Sequence, residues 1–135
     1  PTTAALGLCG MMEAEVAQLP DDEQAEFLEA YGLGEPARHQ FVRCAYGLLD
    51  LISFLTMGPD ECRAWTIRRG TVARAAAGVV HTDMERGFIR AELVSYDDLI
   101  AAGGWNECRE NGTLRLEGKD YVVEDGDVIN FRFNV

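Results

Sequence analysis

Near residue 52 the apolar residues change their spacing, and that switch restricts the chain to a fold that combines helices with a sheet. Upstream, Phe41, Ala45, Leu48, Leu49 and Ile52 recur at helical spacing. Downstream, short alternating runs take over, the pattern of strands with one buried face. The upstream part reads as three helices. Residues 10–19 form a short one stopped by Pro20, whose ring cannot continue it. Asp21, with Gln24 three residues later, makes a capping arrangement for a second. That helix runs through Phe27 and Leu28 and stops near Tyr31-Gly32. Gly34-Glu35-Pro36 opens the third, with Pro36 in the first turn, where its missing N–H costs little. The stripe from Phe41 to Ile52 is expected to be its buried face.

From residue 52 the reading is strand by strand. Ser53–Thr56 is the first strand, Gly58-Pro59-Asp60 a turn, and Arg63–Arg68 the second strand. Gly70-Thr71 opens an Ala-rich helix from Val72 to about Val80. Ile89–Val94 alternates as a third strand. Ser95 caps a short helix, Tyr96 to Ala102, with Asp98 in its first turn, and Gly103-Gly104 breaks it. Leu114–Leu116 and Tyr121–Val123 flank Glu117–Asp120 as a hairpin. Asp125-Gly126 turns into a last strand, Val128–Phe133. The order β-β-α-β-(short α)-β-β is that of a ubiquitin-like β-grasp, a mixed sheet around one helix. The expected fold is therefore α+β, with short helices in residues 1–50 and the β-grasp in 51–135. Core candidates are Trp65, Ile67, Ile129, Phe131 and Phe133 on the strands, and Ala75, Ala76 and Val79 on the helix.

The chain has 135 residues and 47% apolar residues, enough for one modest domain with an appendage. No apolar run approaches the ~20 residues that cross a bilayer. The start has no basic n-region and no initiator Met, so we expect no signal peptide and an N-terminus processed or cut from something longer. Cys9, Cys44, Cys62 and Cys108 include no C-x-x-C, and neither His39 nor His81 has a cysteine at zinc spacing. Free thiols in a reducing cytosol fit this pattern, with one disulfide left open. Cys62, beside the first hairpin, reads as reactive or, more commonly for such a residue, as buried strand packing. Net charge is -11, unevenly spread: nine acids and two bases in residues 1–50, fourteen and ten in 51–135. Such a surface repels polyphosphate on average, so nucleic acid would need a local basic face.

Catalytic readings find little support. His81 with Asp83 suggests acid–base work, but a helix C-terminus, where both satisfy backbone groups, is the plainer reading. His39 sits at a helix edge without suggestive partners. Asp97-Asp98 and Glu124-Asp125-Asp127 are possible metal carboxylates, yet helix first turns and tight turns favour acids for local reasons. Ligand spacing for an EF-hand is absent.

Several longer stretches carry a family resemblance. Ala77-Gly78-Val79-Val80-His81-Thr82-Asp83 and Tyr121–Val128 resemble the helix end and the ending of a TGS domain. Arg63–Ile67, His81–Ile89, Glu117–Tyr121 and Asn130–Val135 are similar to the TGS part of YchF-type (Obg-like) ATPases, in order over residues 52–135. Residues 1–51 resemble the end of that family's nucleotide domain. Leu8, Cys9 and Gly10 fall where the family carries its base-contacting Ser-Ala-Lys or Ser-Gly-Ala loop. Here Cys9 stands for the usual Ser, and a thiol is a poor hydrogen-bond partner, which leaves a backbone contact. The resemblance implies a cytoplasmic protein that prefers ATP, needs magnesium and associates with ribosomes.

Phosphoryl transfer needs a phosphate cradle with a lysine and a magnesium-holding hydroxyl. The sequence contains neither G-x-x-x-x-G-K-[ST] nor D-x-x-G, and its single lysine, Lys119, sits in the expected hairpin. We expect no ATPase activity from the chain alone; ATP and Mg belong to the full-length parent. Three roles then remain. One is an RNA- or ribosome-binding module using Arg63, Arg68, Arg69, Arg74, Arg86, Arg90 and Lys119, with Arg115 and Arg132 in the same part; a solvated, salt-bridged surface explains the same residues equally well. The second is a docking module that senses the nucleotide state of the parent, with Met57 or Trp105 exposed. The third is completion of a base pocket by the Leu8–Met11 loop once the missing nucleotide-binding domain is supplied. The helical stripe from Phe41 must pack on the β-grasp or on another copy, which makes a dimer through that segment an expectation.

Overall fold

The period switch falls where the helical part hands over to the first strand. A computed structural model describes residues 3–58 and 61–134, apart from the side chain of Asp21. Pro59 and Asp60 of the expected turn, and the Asp21 side chain expected as a cap, thus lie outside the described residues. The chain divides into two compact units, residues 1–49 and 50–135.

The first unit holds α1 (Gly10–Val16), α2 (Asp21–Ala30) and α3 (Ala37–Leu49). α1 ends at Val16, before Pro20 can stop it, with Ala17 as its C-cap. Pro20 is the N-cap of α2, and the Gln24 side-chain amide donates to the Leu19 carbonyl at 3.0 Å. α3 begins after Pro36, and the Glu13 carboxylate accepts the Ala37 N–H at 2.9 Å, satisfying one open donor of its first turn. The stripe of α3 is not buried here: Phe41 is 64% and Leu49 60% exposed. Ile52 leaves it altogether, because positive φ at Asp50 ends the helical path and sends the next residue into a strand.

The second unit contains β1 (Leu51–Met57), β2 (Cys62–Arg68), α4 (Ala73–Val80), α5 (Thr82–Arg86), β3 (Phe88–Ser95), α6 (Tyr96–Ala102), α7 (Trp105–Glu110), β4 (Arg115–Glu117) and β5 (Asp127–Phe133). Five strands form one mixed sheet in the order β2-β1-β5-β3-β4. β1 and β5 run parallel at its centre, and the other pairs are antiparallel. This is the α+β arrangement expected from the sequence. Ile52, Phe54, Ile67, Leu93, Ile129 and Phe131 point to one face, where Ala73, Ala76 and Ala77 of α4 meet them. Fully burying each large side chain contributes about 1.5–3 kcal/mol, and alanines on α4 let helix and sheet approach closely. A smaller cluster on the other face joins Val94, Val128 and Cys108, with Leu55, Leu99, Trp105 and Leu114 against it.

Several expectations need correction. α4 turns Ala73, Ala76 and Ala77 inward against the sheet and leaves Ala75 and Val79 outside. Phe133 lies at the sheet's rim and is 39% exposed. Trp105 is half-buried in the second cluster rather than free, and Cys62 is exposed rather than packed within its strand. Tyr121–Val123 is not a hairpin strand. Its carbonyl and amide partners lie at the entry to α4: Ala73 N–H donates to Tyr121 O at 2.7 Å and Val123 N–H to Thr71 O at 3.0 Å. α5 and α7 are short helices that the periodicity did not reveal. His81 closes α4 and also caps α5, its Nδ1 accepting the Asp83 N–H at 3.2 Å.

Candidate nucleic-acid interface

Backbone bridges at the β2–α4 junction gather part of the expected basic set. Gly70, with φ +87°, makes the turn, and the Arg68 carbonyl accepts from the Thr71 N–H (3.1 Å) and hydroxyl (2.7 Å). Arg74 then opens α4, and its N–H donates to the Lys119 carbonyl at 3.3 Å. Arg68, Arg69, Arg74 and Lys119 are thereby drawn to one corner. Arg69 pairs with Asp50 at 3.3 Å, both exposed, a contact of small worth in water. The Arg74 Nε donates to the Glu85 carbonyl at 3.2 Å. Among the described residues Arg68 and Lys119 have no ion pair.

The remaining candidates sit elsewhere. Arg63 lies at the far end of β2, about 17 Å away at ~3.3 Å per residue, with its guanidinium 4.3 Å from the Trp65 ring centroid. Arg86 is 4.0 Å from Asp83 on α5. Arg90 belongs to a different face and a different partner. There, Glu92 is 4% exposed and receives Arg90 at 3.0 Å and Arg132 at 3.0 Å, with Arg109 of α7 at 3.8 Å. The hydrogen bond from Arg132 holds the Glu92 carboxyl below the usual range; burial opposes this, and the Arg90 hydrogen bond supports it. Glu92 and Arg109 were not singled out by sequence. The available signal was one carboxylate inside the otherwise apolar run Ala91–Val94, next to Arg90.

The carboxylates considered for metal serve local structure. Asp125 accepts the Ser53 N–H at 2.8 Å. Asp127 accepts the Tyr121 hydroxyl at 2.8 Å and the Glu124 N–H at 3.0 Å. Burial, then the Asp127 carboxylate, pushes the Tyr121 phenol up to about 12. Ser95 caps α6, accepting the Asp98 N–H at 3.1 Å. Among the described residues no three His, Cys, Asp or Glu side chains stand together as a metal site. Leu8 and Cys9 are exposed, and Cys9, the N-cap of α1, makes no side-chain cap bond. The first unit also holds a cavity of about 700 Å³ lined by Leu28, Pro36, Arg38 and His39 among others. The sequence has no phosphate-cradle motif and the described residues no carboxylate cluster, so these residues do not fit a magnesium-bound nucleotide by themselves. Among the described residues no helix is long and apolar enough to cross a membrane.

Residues 51–134 match the family model YchF-GTPase_C, described as "Protein of unknown function (DUF933)". The chain is 50% identical over 128 residues to the ribosome-binding ATPase YchF of Haemophilus influenzae, covering 95% of this chain and 35% of that protein. The ribosome-binding ATPase YchF of Bacillus subtilis gives the same identity and coverage. Human Obg-like ATPase 1 is 41% identical over 134 residues, covering 99% of this chain and 34% of that one. The chain thus spans about a third of the length of these relatives. Among solved structures, the Schizosaccharomyces pombe YchF GTPase superposes with a TM-score of 0.75 at 36% identity, over 87% of this chain and 31% of that chain.

Proposed function

The chain belongs to the YchF family through that family's C-terminal domain, and on this premise we propose that residues 51–135 are a TGS-type β-grasp module that contacts RNA on the ribosome. The observation that carries the reading is the corner formed by Arg68, Arg69, Arg74 and Lys119, held together by the Thr71–Arg68 and Arg74–Lys119 backbone bonds. On a chain of net charge -11, such a corner is a local site for phosphate. Two of the relatives named above are called ribosome-binding, which points the same way and implies a cytoplasmic setting. Arg63, Arg86 and Arg90 lie off this corner and enter the proposal as flanking contacts.

Residues 1–50 are, in this reading, the helical end of a nucleotide-binding domain. Its exposed apolar side chains, Leu8, Met11, Tyr31, Phe41, Leu48 and Leu49, suit a surface that packs on further protein. ATP and magnesium would be held mainly outside these 135 residues, with Leu8, Cys9 and Gly10 adding one wall of the base site. The same surface supports association of two copies in isolation.

Binding of the chain to RNA at low salt tests the proposal. Reversal of Arg68 and Arg69 to Glu should abolish binding; unchanged binding would remove this corner as the site. A second reading, docking onto the nucleotide domain, is favoured by Met57, 41% exposed on the sheet. Nucleotide-dependent binding of a separately supplied nucleotide domain, lost in Met57→Glu, would select it.

A further inference from the structure

On the sheet face away from α4, β3 and β5 place Arg90 and Arg132 directly opposite one another. Like charges in that position destabilise a sheet unless an anion lies between them. Glu92 is that anion, but α7 adds a third cation, Arg109. Three arginines therefore surround one carboxylate, leaving a local excess of two positive charges on an acidic chain. The carboxylate is inside, at 5% side-chain exposure, while Arg90, Arg109 and Arg132 are 51%, 56% and 49% exposed. Each guanidinium carries five N–H donors. Three of these hydrogen bond to Glu92, from Arg90 Nε, Arg90 Nη2 and Arg132 Nη2. Arg109 reaches it only as an ion pair.

A buried carboxylate that anchors three half-exposed guanidinium groups holds them in place while neutralising only one of their three charges. Such donors are fixed before binding, so little side-chain freedom is lost when an oxyanion arrives. We propose that the Arg90–Arg109–Arg132 triad around Glu92 is a second phosphate-contact site, which takes the backbone phosphates of an RNA strand. The inference deepens the RNA-contacting reading and rests on it. Backbone phosphate is favoured because the three groups stand half-exposed beside α7, reachable by a polymer, and because the excess of two charges matches successive phosphates rather than one. Contacts of this kind position the module without reading sequence.

The test uses the full 135-residue chain and a short fluorescein-labelled oligouridylate, with anisotropy followed across a salt series. Arg109→Gln is the informative variant, since Arg109 meets Glu92 only as an ion pair at 3.8 Å and makes no hydrogen bond to it. It should weaken binding about threefold or more and lower the salt slope by about 0.7, one phosphate contact on a single strand. Glu92→Gln removes the one negative charge while its amide oxygen still accepts from the arginines, and should tighten binding, whereas a purely structural ion-pair cluster gives no gain. Far-ultraviolet circular dichroism confirms that both variants are folded. Inorganic phosphate at the oligonucleotide's phosphate concentration should not compete; full competition would overturn a polymer as the ligand. If Arg109→Gln and Glu92→Gln leave binding unchanged while reversal of Arg68 and Arg69 abolishes it, the triad is overturned and the RNA-contacting module stands. Absence of any RNA binding by the unaltered chain overturns both.

Discussion

Gly87 and Asn134 approach so closely that a Cβ on Gly87 would lie 2.7 Å from the Asn134 carbonyl carbon and 3.0 Å from its amide nitrogen. The same two residues share a backbone bond, Asn134 N–H to Gly87 O, at 2.9 Å. The end of β5 is thus laid across the turn between α5 and β3, and only a residue without a side chain lets the two backbones meet.

Gly87→Ala should destabilise the second unit by at least about 1–3 kcal/mol, because backbone rather than a flexible side chain must move. Denaturant unfolding checks this; Gly118→Ala, where a Cβ would meet nothing within 4 Å and φ is not positive, is the control. An unaltered midpoint for Gly87→Ala would contradict the close approach.

Tyr121 gives a pH signature. Its folded pKa is raised to about 12 from 10.0, so its contribution to stability is complete below pH 10 and is lost as pH rises toward 12. Phenolate absorbance should show one tyrosine titrating late, and Tyr121→Phe should remove that late step. The variant should also cost about 1–3 kcal/mol, since Asp127 loses a donor inside the fold. A late step that survives the substitution would place it on another tyrosine.

Much of the second unit was legible because local chemistry and tertiary contacts agree there. Ser95 and Gly103 bracket α6 as their cap chemistry demands, and Ile67, Ile129 and Phe131 fall on the inner face by alternation alone. Tyr121-Val122-Val123 misled because β-branched residues after a turn look like a hairpin arm, whereas their partners are Thr71 and Ala73, some fifty residues upstream. α5 and α7 have 5 and 6 residues, too few for a helical period to show. The basic residues were legible as a set but not as two faces. Which arginines meet Glu92 depends on β3–β5 register and on where α7 docks, neither of which is local.

Glu92 predicts behaviour in acid. Its folded pKa lies below the ordinary value of 4.5, so its contribution is complete above that pH and is lost as pH falls through the folded value. Thermal midpoints should therefore drop more steeply below pH 4.5 in the unaltered chain than in Glu92→Gln. Parallel profiles would show that the carboxylate gains nothing from its arginines.

The chain by itself should neither hydrolyse ATP nor bind it tightly. Lys119 lies in the loop after β4, and Leu8, Cys9 and Gly10 offer one exposed wall. Calorimetric titration of magnesium-ATP into the chain should give no measurable heat of binding. Tight binding would show that the base loop suffices without a phosphate cradle.

The most direct measurement is co-sedimentation of the chain with ribosomes across a salt series. The account predicts binding at low salt that weakens steadily as salt rises and disappears when Arg68 and Arg69 are reversed to Glu. No co-sedimentation at low salt would contradict it and favour the docking reading instead.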